Sequence, residues 1–452
     1  MAADLVDIAR DVLARGARLP GELEVYVQQA HTTAIKVFGG EVESLVSGEP
    51  RGVGVRYLAD RRRGYAYTAD FSAEGLDRVV REAAANAEAS EPDPFTGLPD
   101  PPEGYPEISG LWRPELAAAS VEEKVSLALT AERAALSSAE IETVEESAYV
   151  DSASRVALVS SRGVEVYGEQ TFCYVYLSAH ARRGDDVQTA LGFFTGRAPA
   201  EIDAEAAGRE AAARAAALLG AVPCASGRYT AVLDREVAAA VLGVISQALT
   251  ADAVQKGRSL FAGRVEQRVG AERVRLVDDG LHPGGMATAP FDDEGVPRRA
   301  TTLIEGGILR GYLYDTYTAA KQGEGTRSTG NAARSSYRAG PGVSPSNLVL
   351  APGEGTLSDL VARVGEGIYV ASITGLHSGA NPVSGEFSVG ATGHLIEGGA
   401  LGRPVREVTI ASDLLSVLGN VTDLAGDARW IPFGASVLTP SVAVADMTVS
   451  GI

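Results

Sequence analysis

Cysteine is nearly absent. The 452-residue chain holds two, Cys173 and Cys224, so a disulfide framework is excluded and a reducing compartment fits best. Histidine is scarce as well. His31, His180, His282, His377 and His394 are the full set, none is followed by Glu, and no two lie within a helical turn of each other. The two-histidine helix of a zinc hydrolase is therefore missing, and the two cysteines stand 51 positions apart with no C-x-x-C. Long apolar runs are missing too. The longest, from Val237 to Ile245, is about half of what a membrane span needs. The start, Met1-Ala-Ala-Asp4-Leu-Val-Asp7, is acidic where a secretory signal carries positive charge. A soluble, cytoplasmic protein is expected, with no membrane partner.

Positive charge is in deficit. Forty Lys+Arg against 59 Asp+Glu leave a formal charge of −19, a field that repels phosphate backbones, so no nucleic-acid partner is expected. The one dense basic run, Arg61-Arg62-Arg63, adjoins Asp60 and reads as a solvated hairpin tip. No G-x-x-x-x-G-K-[ST] phosphate loop occurs, and Gly52-Val-Gly54 is a glycine pair inside a strand.

What is present is globular: 45% hydrophobic and 22% charged residues, in a length that suits two domains. Residues 3–15 repeat apolar positions at helical spacing through Leu5, Ile8, Val12 and Leu13. Strand-like runs follow at 24–29, 34–38, 42–46, 52–58 and 64–68, with Gly39-Gly40 as a hairpin turn. Ser72 caps a helix over 73–89. Residues 91–114 hold seven prolines and read as a surface connection. Ser120 and Glu123 form a capping box for a third helix. Strands resume at 145–157, 163–166 and 171–179, and an Ala-rich helix covers 204–219. The domain boundary is placed after it, giving an N-terminal α+β domain over 1–222 and a C-terminal β-rich domain over 223–452. The second opens with a strand over 227–233 and a helix over 235–249 that is apolar on nearly every side, hence buried. Leu303-Ile-Glu-Gly-Gly307 and Leu395-Ile-Glu-Gly-Gly399 share hairpin chemistry. The expected class is α+β, the N-terminal domain rich in antiparallel hairpins and amphipathic helices, the C-terminal one strand-rich around a buried helix.

The most polar segment runs from Gly375 to Phe387, with His377, Ser378, Asn381, Ser384 and Glu386 close together. An enzyme reading makes Ser378 or Ser384 a nucleophile served by His377. Neighbouring strand residues point to opposite faces, which sets His377 against serving Ser378. The other readings are a cleft lining and a structural Gly-rich loop. The pairs Asp278-Asp279 and Asp292-Asp293 lack the spacing of a calcium loop and read as turn residues. Cys173, between Phe172 and Tyr174, reads as an inert packed thiol.

Gly375-Leu-His-Ser-Gly-Ala-Asn-Pro-Val-Ser-Gly-Glu-Phe-Ser-Val-Gly-Ala-Thr-Gly-His-Leu-Ile-Glu-Gly-Gly399 also resembles the C-terminal block of the TldD/PmbA family, once named modulators of DNA gyrase. Ser328-Thr-Gly-Asn331-Ala, the segment from Ser412 to Asn420, Pro440 to Gly451, and Gly52-Val-Gly-Val-Arg56 with Gly64-Tyr-Ala66 extend the resemblance along nearly the whole chain. It implies two related subunits that together form a zinc peptidase acting on peptides or unfolded segments. One subunit carries His-Glu-x-x-x-His and a late Cys; the other, TldE/PmbA, lacks them. Ungapped counting back from Gly257-Arg-Ser259 puts Leu242, Gly243 and Gln247 at the His, Glu and His positions, and no cysteine follows Cys224. The resemblance thus implies the subunit without metal: no catalytic residue and no metal ligand of its own, zinc in a TldD-like heterodimer partner, and a homodimer possible without that partner. His377, Ser378, Asn381, Ser384 and Asn331 are the candidate substrate-binding or cleft-lining residues. The alternative is a non-enzymatic protein that regulates a toxin–antitoxin or gyrase partner.

Overall fold

A computed structural model describes residues 2–452. The elements of the first half are α1 (Ala2–Arg15), β1 (Glu22–Phe38), β2 (Glu41–Gly48), β3 (Arg51–Ala59), β4 (Arg62–Thr68), α2 (Ala73–Glu88), α3 (Pro114–Ala118), α4 (Val121–Leu136), β5 (Ile141–Ser160), β6 (Glu165–Arg183), β7 (Asp186–Gly196) and α5 (Ala204–Ala217). The second half holds β8 (Gly227–Leu233), α6 (Arg235–Ala248), α7 (Ala251–Gln255), β9 (Leu276–Asp279), β10 (Ala300–Glu305), β11 (Ile308–Leu309), α8 (Thr316–Gln322), β12 (Ala332–Ala333), β13 (Gly342–Val343), β14 (Asn347–Leu350), α9 (Leu357–Val364), β15 (Gly367–Thr374), α10 (Leu376–Gly379), β16 (Glu386–Glu397), β17 (Ala400–Asp413), α11 (Leu414–Gly419), β18 (Val421–Leu424), β19 (Arg429–Ile431), β20 (Ser436–Thr439) and β21 (Val442–Ser450). With 24% helix and 40% strand, the class is α+β.

The first half is one seven-stranded sheet in the order β4-β3-β1-β5-β6-β7, with β2 pairing the far end of β1. The separate runs expected at 24–29 and 34–38 are one 17-residue strand, because Ala30 to Thr33 pair with β5 without a break. β7 follows a turn at Gly184 and was not foreseen, since its two glycines blur any alternation. The caps expected from sequence form: Ser72 accepts from the N–H of Gly75, and Ser120 and Glu123 close a capping box.

All four long helices of this half cover one face. Val25, Val27 and Val55 pack under α1 and α2, while Ile35, Val37, Tyr149, Val175 and Leu177 pack under α4 and α5. Strand period two then commits Glu24, Tyr26 and Gln28 to the opposite face. That face meets the second half, where Tyr26, Leu158 and Val166 contact Phe291 and Tyr337.

The second half has two six-stranded sheets, β17-β16-β15-β8-β21-β18 and β11-β10-β9-β14-β20-β19; an extra β17–β21 pairing closes five strands of the first into a ring. Between them lies α6, capped by Asp234. Its Val237, Val241, Leu242 and Ile245 share a core with Leu233, Leu276, Leu348, Leu350, Val437 and Val444 from both sheets. The apolar helix is buried for the reason its sequence gives: it has no polar face to show water. Gly306-Gly307 and Gly398-Gly399 turn two hairpins at positive φ.

Candidate functional site

Gly375, with φ of +77°, leads into the single turn of α10. His377, Ser378, Asn381 and Ser384 are all exposed. Ser378 Oγ donates to Gly375 O at 3.2 Å, and Ser384 Oγ to Glu386 Oε2 at 3.2 Å. Asn381 Oδ1 accepts from the N–H groups of Val383 (2.8 Å) and Ser384 (3.3 Å), an Asx turn. Both hydroxyls are thus engaged locally, and among the described residues no hydrogen bond joins either to His377. Asn331 lies in a different setting. It is 2% exposed, and its Nδ2 donates to Asp278 Oδ2 at 2.7 Å and Ser344 O at 3.2 Å, while Oδ1 accepts from Thr329 Oγ1 at 2.6 Å.

On α6, Leu242 is buried, Gly243 half-buried and Gln247 exposed. Leu242 faces an apolar spot with Leu233, Val417 and Val442. A hydrolytic zinc site needs imidazole, thiolate or carboxylate donors and a base. Leucine and glycine supply none, so these residues do not fit that ion. Among the described residues no group of three His, Cys, Asp or Glu side chains is placed to hold a metal. Cys173 is buried, and burial pushes its thiol up to about 12, which leaves it unreactive at neutral pH.

The charged groups concentrate elsewhere, at the junction of the two halves. Arg56 on β3 bridges Glu24 on β1 (2.6 Å) and Glu294 (2.8 Å), all but excluded from water. Arg334 pairs with the other oxygen of Glu24, donates from Nε to Asp293 O at 3.0 Å, and lies 4.8 Å from the centre of the Tyr26 ring. Asp292 accepts three backbone N–H groups, from Glu294, Val296 and Ala332, each at 2.9 Å. Burial, and then the charge of Glu294, still push Asp292 up to about 7. For Glu294, burial works upward but is outweighed by Arg56 and the Thr316 hydrogen bonds, so its carboxyl sits below the usual range.

The acidic pairs are turn residues in part, since Asp279 and Asp292 accept from the N–H groups of Leu281 and Glu294 and close turns through their carbonyls to His282 and Gly295, but two of the four are also buried. Asp278 sits in β9 at 1% exposure, and Asp292 is 1% exposed as well. Asp278 accepts from Asn331, from Ser346 N–H and from Ser346 Oγ, each at 2.7 Å. The two acidic doublets were visible in the sequence. Their burial was not, because the partners of Asp278, Asp292 and Asp293 include residues as distant as 331, 332, 334 and 346. The glycine pair of β3 also gains a purpose: a Cβ at Gly52 would lie 2.1 Å from the Tyr337 ring, and one at Gly54 2.4 Å from Tyr337 O. These glycines let the second half lie flat on the strand.

Beside the network, a cleft of about 250 Å³ opens between the sheet face and the second half, lined among others by Gln28, Ser154, Gln170, Asp293, Arg298 and Arg334.

Family models described as PmbA/TldA metallopeptidase match most of the chain: domain 1 over residues 23–87, the central domain over 114–219 and the C-terminal domain over 226–451. The metalloprotease PmbA of Escherichia coli O157:H7 is 25% identical over 445 residues, covering 95% of this chain and 92% of that one. The crystal structure of TldE from Thermococcus kodakarensis superposes with a TM-score of 0.91 at 25% identity, covering 98% and 100% of the two chains. A putative modulator of a DNA gyrase from Thermotoga maritima has the same fold, with a TM-score of 0.91 at 24% identity, covering 98% and 99%.

Proposed function

Since the chain belongs to the PmbA/TldD metallopeptidase family, we propose that it is the subunit without metal in a heterodimeric zinc peptidase, whose TldD-like partner carries the ion. One observation carries the reading: α6 holds no His or Cys, and Leu242, which ungapped counting sets at the first His position of the TldD-type motif, is turned into the core. Its likeness to a TldE structure over 98% of the chain supports the same division of labour. The contribution of this subunit is shape. Enclosing the partner's site admits an extended, unfolded strand held by main-chain hydrogen bonds and turns away folded proteins of the cytoplasm. His377, Ser378, Asn381 and Ser384 are proposed as exposed contacts for such a strand, and Asn331 as a buried support of the junction.

The test is zinc content and cleavage of an unfolded peptide, measured for the chain alone and after mixing with a partner bearing His-Glu-x-x-x-His. Zinc and cleavage are expected only with the partner. One equivalent of zinc bound tightly by the chain alone sinks the reading. A regulatory, non-enzymatic role is the second reading, favoured by the structural neighbour described as a modulator of a DNA gyrase. The charge of −19 turns such a role toward proteins rather than DNA. Affinity capture that returns a regulatory target and no TldD-like chain would select it.

A further inference from the structure

We propose that the cleft at the junction binds the carboxylate-bearing end of a short peptide, with Arg298 as its anchor. Among the described residues Arg298 makes one side-chain hydrogen bond, from Nε to Phe291 O at 3.2 Å, and its two terminal nitrogens have no protein partner. The side chain is nonetheless held in place. A Cβ at Gly280 would lie 2.9 Å from Arg298 Cδ and 3.0 Å from its Cβ, so glycine there lets the backbone support the stem. A half-buried guanidinium fixed by its stem and Nε presents an open fork, the geometry that receives a carboxylate.

The acids nearby are already engaged. Asp278 is taken by Asn331 and Ser346, Asp292 by three backbone N–H groups, and Asp293 Oδ2 by the N–H of Arg334. Glu169 on the far wall accepts from Arg155 and Tyr167. Arg334 itself is committed to Glu24. Arg298 acts on Asp278, Asp292 and Asp293 only through its field, and among the described residues its terminal nitrogens donate to no protein group. Asp293 and Glu169 still repel a second negative charge, which favours a monoanionic carboxylate over a phosphate dianion.

The sheet side supplies groups for a main chain. Ser154 and Gln170 are cross-strand partners on β5 and β6, and neither uses its side chain elsewhere among the described residues. Gln28 spends Oε1 on the N–H of Tyr337 at 3.0 Å and keeps its NH₂ free. A volume of about 250 Å³ is below the ~300 Å³ at which whole drug-sized ligands begin to fit, so one or two residues enter and the rest of the peptide stays outside. The inference goes beyond the heterodimer reading and does not depend on it.

Calorimetry on the isolated full chain tests it with three probes: N-acetyl-dialanine with a free carboxylate, the same peptide as the C-terminal amide, and N-acetyl-aspartyl-alanine amide. The free carboxylate is expected to bind about tenfold or more tightly than the dialanine amide, the difference one charge-assisted hydrogen bond makes. Binding of the aspartyl amide at the level of the free acid assigns the site to acidic side chains as well as chain ends; weak binding restricts it to chain ends. Arg298→Gln, with folding checked by its thermal melt, should erase the preference. Ser154→Leu, which fills the cleft from the sheet and leaves Arg298 in place, should weaken the free acid about tenfold or more. Equal affinity for acid and dialanine amide, undiminished binding in both variants, or no binding by the wild-type chain overturns the proposal. None of these results bears on zinc or on the partner, so the two readings fail separately.

Discussion

Arg334 and Glu24 stand 310 residues apart in the chain and form an ion pair in which neither side chain is more than 1% exposed. The pair joins β1 of the first sheet to the loop after β12, and Arg56 extends it to Glu294. The junction is thus held by four charged groups sealed from water, a setting where every partner is needed.

Arg334→Met should destabilise the protein by about 3–5 kcal/mol, because it leaves Glu24 half-paired in the interior. Urea unfolding followed by circular dichroism checks the size. Arg334→Met combined with Glu24→Gln should recover part of the loss. A double variant as weak as the sum of the two single ones would show that the groups do not act as a unit.

Stability should depend on pH through Asp292, whose carboxyl is raised from 3.8 to about 7. An acid raised on folding binds more protons folded than unfolded, so its contribution is full below pH ~4 and is lost as pH rises toward ~7. Glu294, held low, acts in the opposite sense and only in the acid range. Melting midpoints of the wild type should therefore decline across pH 4–7, and Asp292→Asn should flatten that decline even though its midpoint is lower throughout.

Gly54→Ala should cost about 1–3 kcal/mol by overpacking, since the added Cβ falls 2.0 Å from Tyr65 Oη and 2.4 Å from Tyr337 O. The strain sits at the junction, so limited proteolysis should cut the 91–114 connection or the stretch between α8 and β12 faster than in the wild type. Unchanged digestion would place the strain elsewhere.

Two substitutions on one helix should move stability in opposite directions. Gly243→Ala meets nothing within 4 Å and should stabilise α6 by about 0.5–1 kcal/mol. Leu242→Ala empties a core position that is 5% exposed and should cost about 2–5 kcal/mol. A mild cost at Leu242 would mean that this side of α6 is not packed as described.

Much of the local structure was legible. The caps at Ser72 and Ser120, the hairpin glycines and the apolar run of α6 are each determined by a few neighbouring residues, and they appear where the sequence puts them. Strand lengths were less legible, because Ala30 to Thr33 carry no apolar alternation and are ordered by β5 instead. The least legible feature was the junction cluster. Acidic doublets are usually solvated, and nothing near Asp292 in sequence announces Arg56 or Arg334.

By itself, then, the sequence determined the acidic, α+β character of the protein, its helix caps and hairpin glycines, and the lack of histidine and cysteine in α6, since each is a matter of composition or of side chains a few positions apart. Tertiary structure alone decided which charges are buried together, that β3 gives up two side chains to seat Tyr337, and that Arg298 faces a cleft with its fork open. Alternation along a strand tells which residues share a face. Only the packing of one half against the other tells which face loses its water.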